Sequence, residues 1–416
     1  MSLFKIILIQ SLIIIISSFI KFHFNFEKNL SLDIISQLIE SNMTTNIKVG
    51  NPVQNLITQI SFDDFSFYIF NKQENSSYSF YNNKTSSSLK IINNENIEFD
   101  DLIGKKSEEK FYFMNEKNKE KEINNLLFIL SERRTYKNIY PSGIGCLIRE
   151  KRENDINFFH ELKSRNIIKN KTFNFVYSNI NEGEMIIGNY PHEYNSSYNI
   201  KNFVYSIMRY TYMIDTSSTT FSDLITYNKS IDTDYDIEFD GSLYGIFVHF
   251  DYLNFIKEKF FDEYIQLNKC NYYNTIKYRY FICDNDINIS KFQSLIFISK
   301  VMNMSFILNY NDLFYKYENK YIFLAFVNNY ISGTWRLGRI FMKKYHTIFD
   351  IERGIVGFYK EEDINQKRDY FKFIMTSILI CIIGFLLFLY YNVLKKNRKI
   401  RVNEIEENFD YTPQKI

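Results

Sequence analysis

The chain has 416 residues, which is long enough for two lobes with sizeable hydrophobic cores. Its formal net charge is +2. A net charge this close to zero gives no reason to expect nucleic acid as a partner. Asn, Ile, Lys, Tyr and Phe dominate the composition, with 18% aromatic residues and only 4 prolines. We attribute this to compositional bias, so the Asn-rich stretches are weak evidence for disorder.

Residues 1–20 are predicted to be a secretory signal peptide. Lys5 supplies a short positive region, and Ile6 to Ile16 form an apolar core that is too short to span a bilayer. Ser17 and Ser18 are small residues of the kind found near a cleavage point. An uncleaved membrane anchor is the alternative. Residues 21–44 are then a short N-terminal segment before the folded region.

The region from Ile47 to Phe358 is predicted to be mostly β. Short runs rich in Ile, Phe, Tyr and Val alternate with polar residues, as in TFNFVYS at 172–178. Apolar residues at helical spacing occur briefly, in Ile156–Ile168 and Phe255–Leu267. We therefore expect an all-β chain with a few short helices, and we see no tandem repeat.

The segment from Phe373 to Leu394 is predicted to be a transmembrane helix. It carries no charged residue and is long enough to cross a hydrocarbon core of about 30 Å. A basic cluster follows at once and places the C-terminus in the cytosol: Lys395, Lys396, Arg398, Lys399 and Arg401. We expect a single-pass type I membrane protein, with residues 363–372 as a stalk and 395–416 as a cytoplasmic tail. Its globular part would lie in the lumen of the secretory or endolysosomal pathway, or at the cell surface.

The cysteines and the glycosylation sequons fit this topology. Cys270 and Cys283 are close in sequence and would lie in an oxidising compartment, which favours a disulfide, although two unpaired thiols are the alternative. Cys146 is predicted to be a buried thiol, because no His lies beside it in sequence. Asn-x-Ser/Thr sequons occur at Asn29 and Asn42, and the candidate glycosylation sites are Asn75, Asn83, Asn170, Asn195, Asn228, Asn288 and Asn303.

The segment from Thr334 to Phe358, TWRLGRIFMKKYHTIFDIERGIVGF, resembles the closing signature of the pepsin-like aspartic proteases. In that family a Trp-x-Leu-Gly strand is followed by a Phe-x-x-Lys-Tyr strand, a Phe-Asp turn and an Ile-Val-Gly-Phe strand. Other segments resemble family motifs in the same order: IKVGNPVQ at 47–54, YNNKTSSSL at 81–89, SGIGCLI at 142–148 and NFVYSNINEGEMIIGNYPHEY at 174–194. The resemblance covers residues 45–360.

This resemblance implies a bilobal, all-β, pepsin-like acid protease fold with lobes at 45–205 and 206–362. It also implies a disulfide between Cys270 and Cys283, since the family has a bridge at the matching place in its second lobe. The family's flap hairpin, tipped by Tyr and Gly, has no obvious match in SLKIINNENIE at 88–98, so we expect a shortened or rebuilt flap.

Catalysis in this family uses two Asp-Thr-Gly triplets, whose carboxylates share one proton. Counting along the family pattern from Gln54 places Ser61 at the first Asp. Aligning the segment from Asn254 to Tyr264 places Val248 at the second, with His249 and Phe250 after it. Neither Ser61 nor Val248 can act as a dyad carboxylate, so no catalytic residue is expected.

Three functional hypotheses follow. The leading one is a pseudoprotease that holds an extended peptide or a protein in its cleft without cleaving it. The second is a divergent active endopeptidase, in which Asp63 pairs with Asp215 or Asp251. The third is a structural glycoprotein whose former site is filled by Phe62 and Phe250. No metal or other cofactor is expected, because none of the five His lies at metal-ligand spacing from Cys, Asp or Glu. His249 is either a pH sensor or a turn residue.

Overall fold

The computed structural model describes residues 19–26, 33–62, 66–71, 80–99, 102–115, 117–134, 140–146, 156–208, 213–215, 218–221, 236–330 and 335–360, with Ile383, Phe388 and Tyr391. The chain divides into two compact units, Met1–Tyr359 and Lys360–Ile416. The predicted signal peptide lies outside the described residues up to residue 18, as does most of the predicted transmembrane segment. Among the residues that are described, no helix is both long and apolar enough to cross a membrane.

The first unit is mostly β, as predicted. Its strands up to the middle of the sequence are β1 (Ile20–Phe26), β2 (Met43–Val49), β3 (Gln54–Ser61), β4 (Phe67–Phe70), β5 (Lys90–Ile91), β6 (Ile97–Phe99), β7 (Leu102–Asn115), β8 (Glu120–Arg134), β9 (Ser142–Gly145), β10 (Thr172–Asn179), β11 (Glu182–Ile187), β12 (Phe203–Ile207), β13 (Met213–Asp215) and β14 (Ser218–Phe221). The later strands are β15 (Asp236–Phe239), β16 (Ile246–Phe247), β17 (Cys270–Asn274), β18 (Tyr278–Asp284), β19 (Leu295–Ser299), β20 (Met304–Leu308), β21 (Phe314–Tyr317), β22 (Lys320–Phe323), β23 (Ala325–Asn328), β24 (Trp335–Leu337), β25 (Ile348–Asp350) and β26 (Ile355–Tyr359).

The described helices are short. They are α1 (Ile34–Ile39), α2 (Phe158–Ser164), α3 (Pro191–Tyr194), α4 (Phe250–Ile256), α5 (Asp262–Gln266), α6 (Tyr310–Leu313) and α7 (Arg339–Tyr345), with a π-helical turn at Lys257–Phe261 and 3-10 turns at Ile200–Asn202 and Ile289–Lys291. The helical periodicity in Ile156–Ile168 and in Phe255–Leu267 is therefore confirmed, and the second helical stretch begins at Phe250.

One arrangement of four strands occurs twice in this unit. In the larger sheet β3 runs parallel to β9, β9 antiparallel to β4, and β4 parallel to β8. In the second sheet β15 runs parallel to β24, β24 antiparallel to β16, and β16 parallel to β23. Each copy therefore inserts a distant strand, β9 or β24, between two strands joined by one loop. The β3–β4 and β15–β16 loops occupy equivalent places.

The end of the unit joins strands from both halves of the sequence. β25 pairs with β10, and β26 pairs with both β25 and β12. On the other side of β10 come β11, β1 and β2 in turn. The larger sheet thus contains the first and the last described strands of the unit, and neither half of the sequence completes it alone.

The N-terminal segment differs from the prediction, because residues 21–44 are not simply a connection to the fold. β1 lies between β11 and β2, and its residues Phe22, Phe24 and Phe26 are buried in the core. The predicted end of the signal peptide coincides with Ile20, where β1 begins. The alternation of apolar and polar residues in IKFHFNF indicates a strand, but it was not used because the signal peptide was predicted to end at its first residue.

The Phe-x-x-Lys-Tyr segment is also different, because it forms helix α7 and not a strand. Phe341, Met342 and Tyr345 are buried, while Lys343 is exposed. This burial follows the helical period and not strand alternation. The strand predicted after it is confirmed, since the Ile-Val-Gly-Phe residues form β26.

Candidate functional site

Ser61 lies at the carboxyl end of β3, at the start of the β3–β4 loop. It pairs with Gly145 of β9, and its carbonyl oxygen accepts a hydrogen bond of 2.8 Å from the backbone N–H of Cys146. The loop ends five positions later at Ser66, whose carbonyl oxygen accepts 2.9 Å from the Gly145 N–H. These bonds fix the two ends of the loop against β9.

Asp240 is the counterpart of Ser61 in the second copy of the arrangement. It follows Phe239, which pairs with Leu337 of β24, and its own N–H donates to the Leu337 carbonyl at 3.1 Å. Five positions later the Gly245 carbonyl accepts 3.0 Å from the N–H of Gly338, as Ser66 does from Gly145. The two loops, SFDDFS and DGSLYG, therefore have the same length and the same anchor at their last residue.

The Asp240 carboxylate is occupied by neighbours within its own copy. One oxygen, Oδ1, accepts hydrogen bonds from the backbone N–H of Ser242 at 2.9 Å and from the Ser242 hydroxyl at 2.6 Å. The other oxygen, Oδ2, lies 3.7 Å from Nη1 of Arg336. Nε of the same arginine lies 2.7 Å from Oε2 of Glu238. The side chain of Asp240 is 13% exposed. The charged group that lies beside this carboxylate is thus the guanidinium of Arg336.

Phe62 fills the space opposite Gly241, the residue after Asp240. A Cβ atom added to Gly241 would lie 2.3 Å from Cε2 of Phe62. The Phe62 ring is held among Phe173, Phe175 and Phe349, with ring centroids 5.6–6.2 Å apart, so it has little room to move. The two loops thus meet through an apolar ring.

Val248 is placed elsewhere than the sequence alignment suggested. It follows β16, is buried, and donates its N–H to the Phe326 carbonyl at 2.8 Å. Because Phe67 and Ile246 are equivalent, Val248 corresponds to Ile69 of β4 and not to Ser61. The counterpart of Ser61 in the strand pairing is Asp240, which lies eight residues before Val248. Alignment by the helix failed because the helix begins at Phe250, so its first residue and its N-cap, His249, were counted in the triplet.

His249 and its neighbours serve the start of α4. The His249 ring nitrogen Nδ1 accepts a hydrogen bond of 3.2 Å from the Asp251 N–H, which is an N-cap interaction. Phe250 is 38% exposed and lies under Arg279, whose guanidinium carbon is 4.2 Å from the ring centroid. Phe250 therefore does not fill the site as the third hypothesis expected, although Phe62 does.

The other candidate acids are dispersed. Asp215 ends β13 and pairs with Asp236, which begins β15, so it lies at the opposite end of that strand from Asp240. Asp251 is in the first turn of α4 with a 72% exposed side chain. Asp63 lies outside the described residues. Neither Asp215 nor Asp251 therefore lies on the loop that carries Asp240.

The loop that carries Asp240 is braced by helix α1. The Tyr244 N–H donates to the Leu38 carbonyl at 2.9 Å, and the Ser41 hydroxyl donates to the Ser242 carbonyl at 3.0 Å. Ser41 in turn accepts a hydrogen bond from the buried guanidinium of Arg339. The position of Asp240 is therefore set by contacts with the N-terminal region as well as by its own sheet.

A short hairpin forms near the place where the resemblance implied a flap. Residues Ile97, Glu98 and Phe99 of β6 pair with Gly104, Ile103 and Leu102 of β7. The two tip residues, 100 and 101, lie outside the described residues. At the base of this region the Glu109 carboxylate is fully buried and accepts hydrogen bonds from the hydroxyls of Tyr81 and Ser86, the latter at 2.6 Å.

The predicted disulfide is confirmed, because Cys270 and Cys283 are bonded across β17 and β18. Cys146 is a buried free cysteine, and burial raises the pKa of its thiol, which disfavours the nucleophilic thiolate. No group of three or more His, Cys, Asp or Glu in the described ranges could hold a metal ion.

The described glycosylation candidates lie at the surface. Asn195, Asn288 and Asn303 are exposed, and Asn83 and Asn170 are partly exposed. Asn75 and Asn228 lie outside the described residues.

Comparison with known proteins gives no further guidance: no protein-family model and no curated protein matches this chain.

Asp240, the counterpart of Ser61, is the candidate residue that the sequence prediction missed. A signal for it exists, namely the strand-like DIEF run followed by Asp-Gly-Ser and, five positions after Asp240, by Gly-Ile-Phe-Val. This spacing matches Ser61 and the Ser-Phe-Tyr-Ile run that begins at Ser66. Comparing the two halves of the chain with each other would have found it without the family pattern.

Proposed function

We propose that the chain is a membrane-anchored homologue of the pepsin-like aspartic peptidases that binds a peptide or protein but does not cleave it. The observation that carries this proposal is the equivalence of Asp240 and Ser61. Catalysis of this kind needs two carboxylates that share a proton. Here one position is an acid already bound to Ser242 and Arg336, and the other is a neutral hydroxyl.

The bilobal pepsin-like architecture is part of the same proposal. It is supported by the repeated arrangement of four strands, by the equal lengths of the β3–β4 and β15–β16 loops, and by the Cys270–Cys283 disulfide. The order of the motif-like segments along the chain supports it as well. In this interpretation the Trp335 strand, β24, plays the same part in the second lobe that β9 plays in the first.

The proposed location is a membrane of the secretory or endolysosomal pathway or the cell surface, with the first unit outside the cytosol. The uncharged segment from Phe373 to Leu394, the basic cluster after it and the exposed sequons support this topology. Treatment with an N-glycosidase should increase electrophoretic mobility of the protein made in cells. An unchanged mobility together with full release by alkaline carbonate would contradict the proposal.

The experiment that tests the loss of catalysis is a cleavage assay on the full-length chain with a fluorogenic peptide library, from about pH 3 to about pH 7. We expect no pepstatin-sensitive turnover. Peptides selected by binding from a displayed random library should be recovered intact by mass spectrometry after incubation with the chain. Cleavage that pepstatin abolishes would overturn the proposal.

A divergent active endopeptidase is the second candidate, and the presence of Asp240 is the observation that favours it. Its catalysis would need Asp240 and an acid from the first loop, for which Asp63 is the sequence candidate. If turnover is found, Asp240→Asn and Asp63→Asn should each abolish it, while Asp251→Asn should leave it unchanged. This pattern would replace the pseudoprotease by the active enzyme.

A further inference from the structure

A cleft of about 540 Å³ is lined by residues of α6, β21 and α7 and by Tyr244. Its floor is apolar and aromatic, formed by Tyr244, Phe314, Leu324 and Ile340, each no more than 8% exposed. This volume is within the range of pockets that hold small ligands, roughly 300–1,000 Å³. The floor is therefore suited to an apolar or aromatic group.

The rim of the cleft carries an excess of positive charge. Lys316, Lys343 and Lys344 line it together with a single acid, Asp312. Oδ2 of Asp312 is already committed, since it lies 2.6 Å from Nζ of Lys344 and accepts 2.8 Å from the Asn309 N–H. Lys316 and Lys343 are exposed, and in the described part of the chain neither has an ion-pair partner. Two cations are thus left for a ligand.

A further cation lies behind the floor. Arg339 is 1% exposed, and its guanidinium carbon is 5.0 Å from the centroid of the Tyr244 ring, which lines the cleft. Its Nε and Nη1 atoms have no hydrogen-bond partner, and the described residues include no carboxylate within ion-pair distance of it. Burial lowers the pKa of Arg339 to about 10, so it remains charged at neutral pH. This unpaired buried charge adds to the positive potential of the cleft.

We propose that this cleft binds a carboxylate carried on an apolar or aromatic body, with the anion at Lys316 and Lys343 and the body on the Tyr244 and Phe314 floor. Two sources share this chemistry, the anion of a fatty acid and the free C-terminus of a peptide that ends in an aromatic residue. The lining of the cleft includes Tyr244 of the Asp240 loop but not Asp240 itself, and the proposal does not depend on whether the chain cleaves peptides.

The test is calorimetric titration of the purified full-length chain with matched pairs of probes. Octanoate is compared with octanamide, and acetyl-Ala-Phe with its C-terminal amide. We expect the carboxylate of at least one pair to bind and its neutral amide to bind about tenfold more weakly or worse, because hydrogen bonds to charged groups are the stronger ones. The pair with the tighter carboxylate identifies the source, and binding should weaken as salt is added.

Variants locate the site. Lys316→Gln together with Lys343→Gln should weaken carboxylate binding about tenfold, while Lys300→Gln, at an exposed lysine outside the cleft, should not change it. Asn311→Trp adds bulk at the mouth and should also weaken binding. These substitutions are at exposed positions, so the variants should fold. Equal affinity for acid and amide, or wild-type affinity in the double lysine variant, would overturn the proposal, as would no binding by either carboxylate.

Discussion

Phe62 and Gly241 occupy equivalent positions in the two repeated loops, one with a large side chain and the other with none. The Phe62 ring takes up the volume that any side chain at position 241 would need. At the residue scale this contact explains why polar bridging between the loops is absent at these two positions. It also makes the two positions dependent on each other.

We therefore expect strong coupling between substitutions at these positions. Phe62→Ala should lower the free energy of unfolding by about 3–5 kcal/mol, because it removes a buried ring. Gly241→Ala should lower it by about 1–3 kcal/mol through overpacking. In the double variant the added methyl enters the space left by the ring, so the combined loss should be clearly smaller than the sum. Chemical denaturation of the four proteins measures this cycle, and additive losses would show that the two residues do not compete for space.

His346 ends helix α7 in the left-handed conformation, with φ of 44°, and its Nδ1 atom is buried without a hydrogen-bond partner. Burial lowers the pKa of His346 below its ordinary value of 6.5. The unfolded chain then binds a proton more readily than the folded chain does. Stability from this residue is complete above pH 6.5 and declines as the pH falls below that value, until the folded pKa is passed.

The prediction is that the thermal unfolding midpoint falls between about pH 7 and about pH 5, and falls less in His346→Asn. Asn is chosen because it tolerates the left-handed conformation and does not titrate. His192 contributes in the same direction, since burial also lowers its pKa, so the slope should be reduced and not abolished. His23→Gln, at an exposed histidine of β1, is the matched control. An unchanged slope in His346→Asn would contradict this account.

At the scale of elements, the β17–β18 hairpin is closed by the Cys270–Cys283 disulfide between directly paired residues. The bond spans a sequence separation of 13 residues, and both cysteines are 1% exposed. Phe281 of this hairpin stacks on Phe261 with centroids 4.0 Å apart, which ties the hairpin to the π-helical turn. The disulfide thus holds an element that packs on the helical stretch after β16.

Replacing both cysteines, as Cys270→Ala with Cys283→Ala, should lower the free energy of unfolding by about 3 kcal/mol, the value expected for a loop of this size. Reducing agent should destabilise the wild-type chain and leave this variant unaffected. Cys146→Ala is the control for loss of a cysteine that is not bonded. Equal sensitivity of the wild type and the double variant to the reductant would show that the bond is not the source of the effect.

The sequence predicted strand β3 correctly. It failed for β1, for α7 and for the position of Asp240, because the residues of each had been assigned to a different feature. Ser61 was counted from Gln54, and the structure places these two residues at the two ends of β3. Asp240 could not be located, because the count ran back from a helix whose first turn was not recognised. The residues of β1 were assigned to a short segment after the signal peptide. The residues of α7 were assigned to a strand, because the family motif was given more weight than the helical spacing of the apolar residues. The position of β1 between β11 and β2 depends on long-range pairing, which a single sequence does not display.

At the scale of the whole molecule, the first unit is closed by strands from its two ends. Three residues of β10 pair with β25, five residues of β12 pair with β26, and β1 lies further along the same sheet. The Asp240 loop is also braced by α1, through the bonds from Tyr244 to Leu38 and from Ser41 to Ser242. These contacts join distant parts of the sequence, so the two halves should depend on each other for folding.

We predict that residues 19–207 do not fold when they are produced alone, although they contain all strands of the first four-strand arrangement. Without β25 and β26, the sheet edges at β10 and β12 are unpaired, and the buried ring of Phe173 loses its stacking contact with Phe349. The fragment should show no cooperative thermal transition and little protection of its amide hydrogens, whereas the full chain should unfold its first unit in one transition. Adding residues 236–360 as a separate chain should restore protection in β10 and β12 if their pairing with β25 and β26 is what the fragment lacks. A fragment that unfolds cooperatively by itself would show that the first half carries its own complete core.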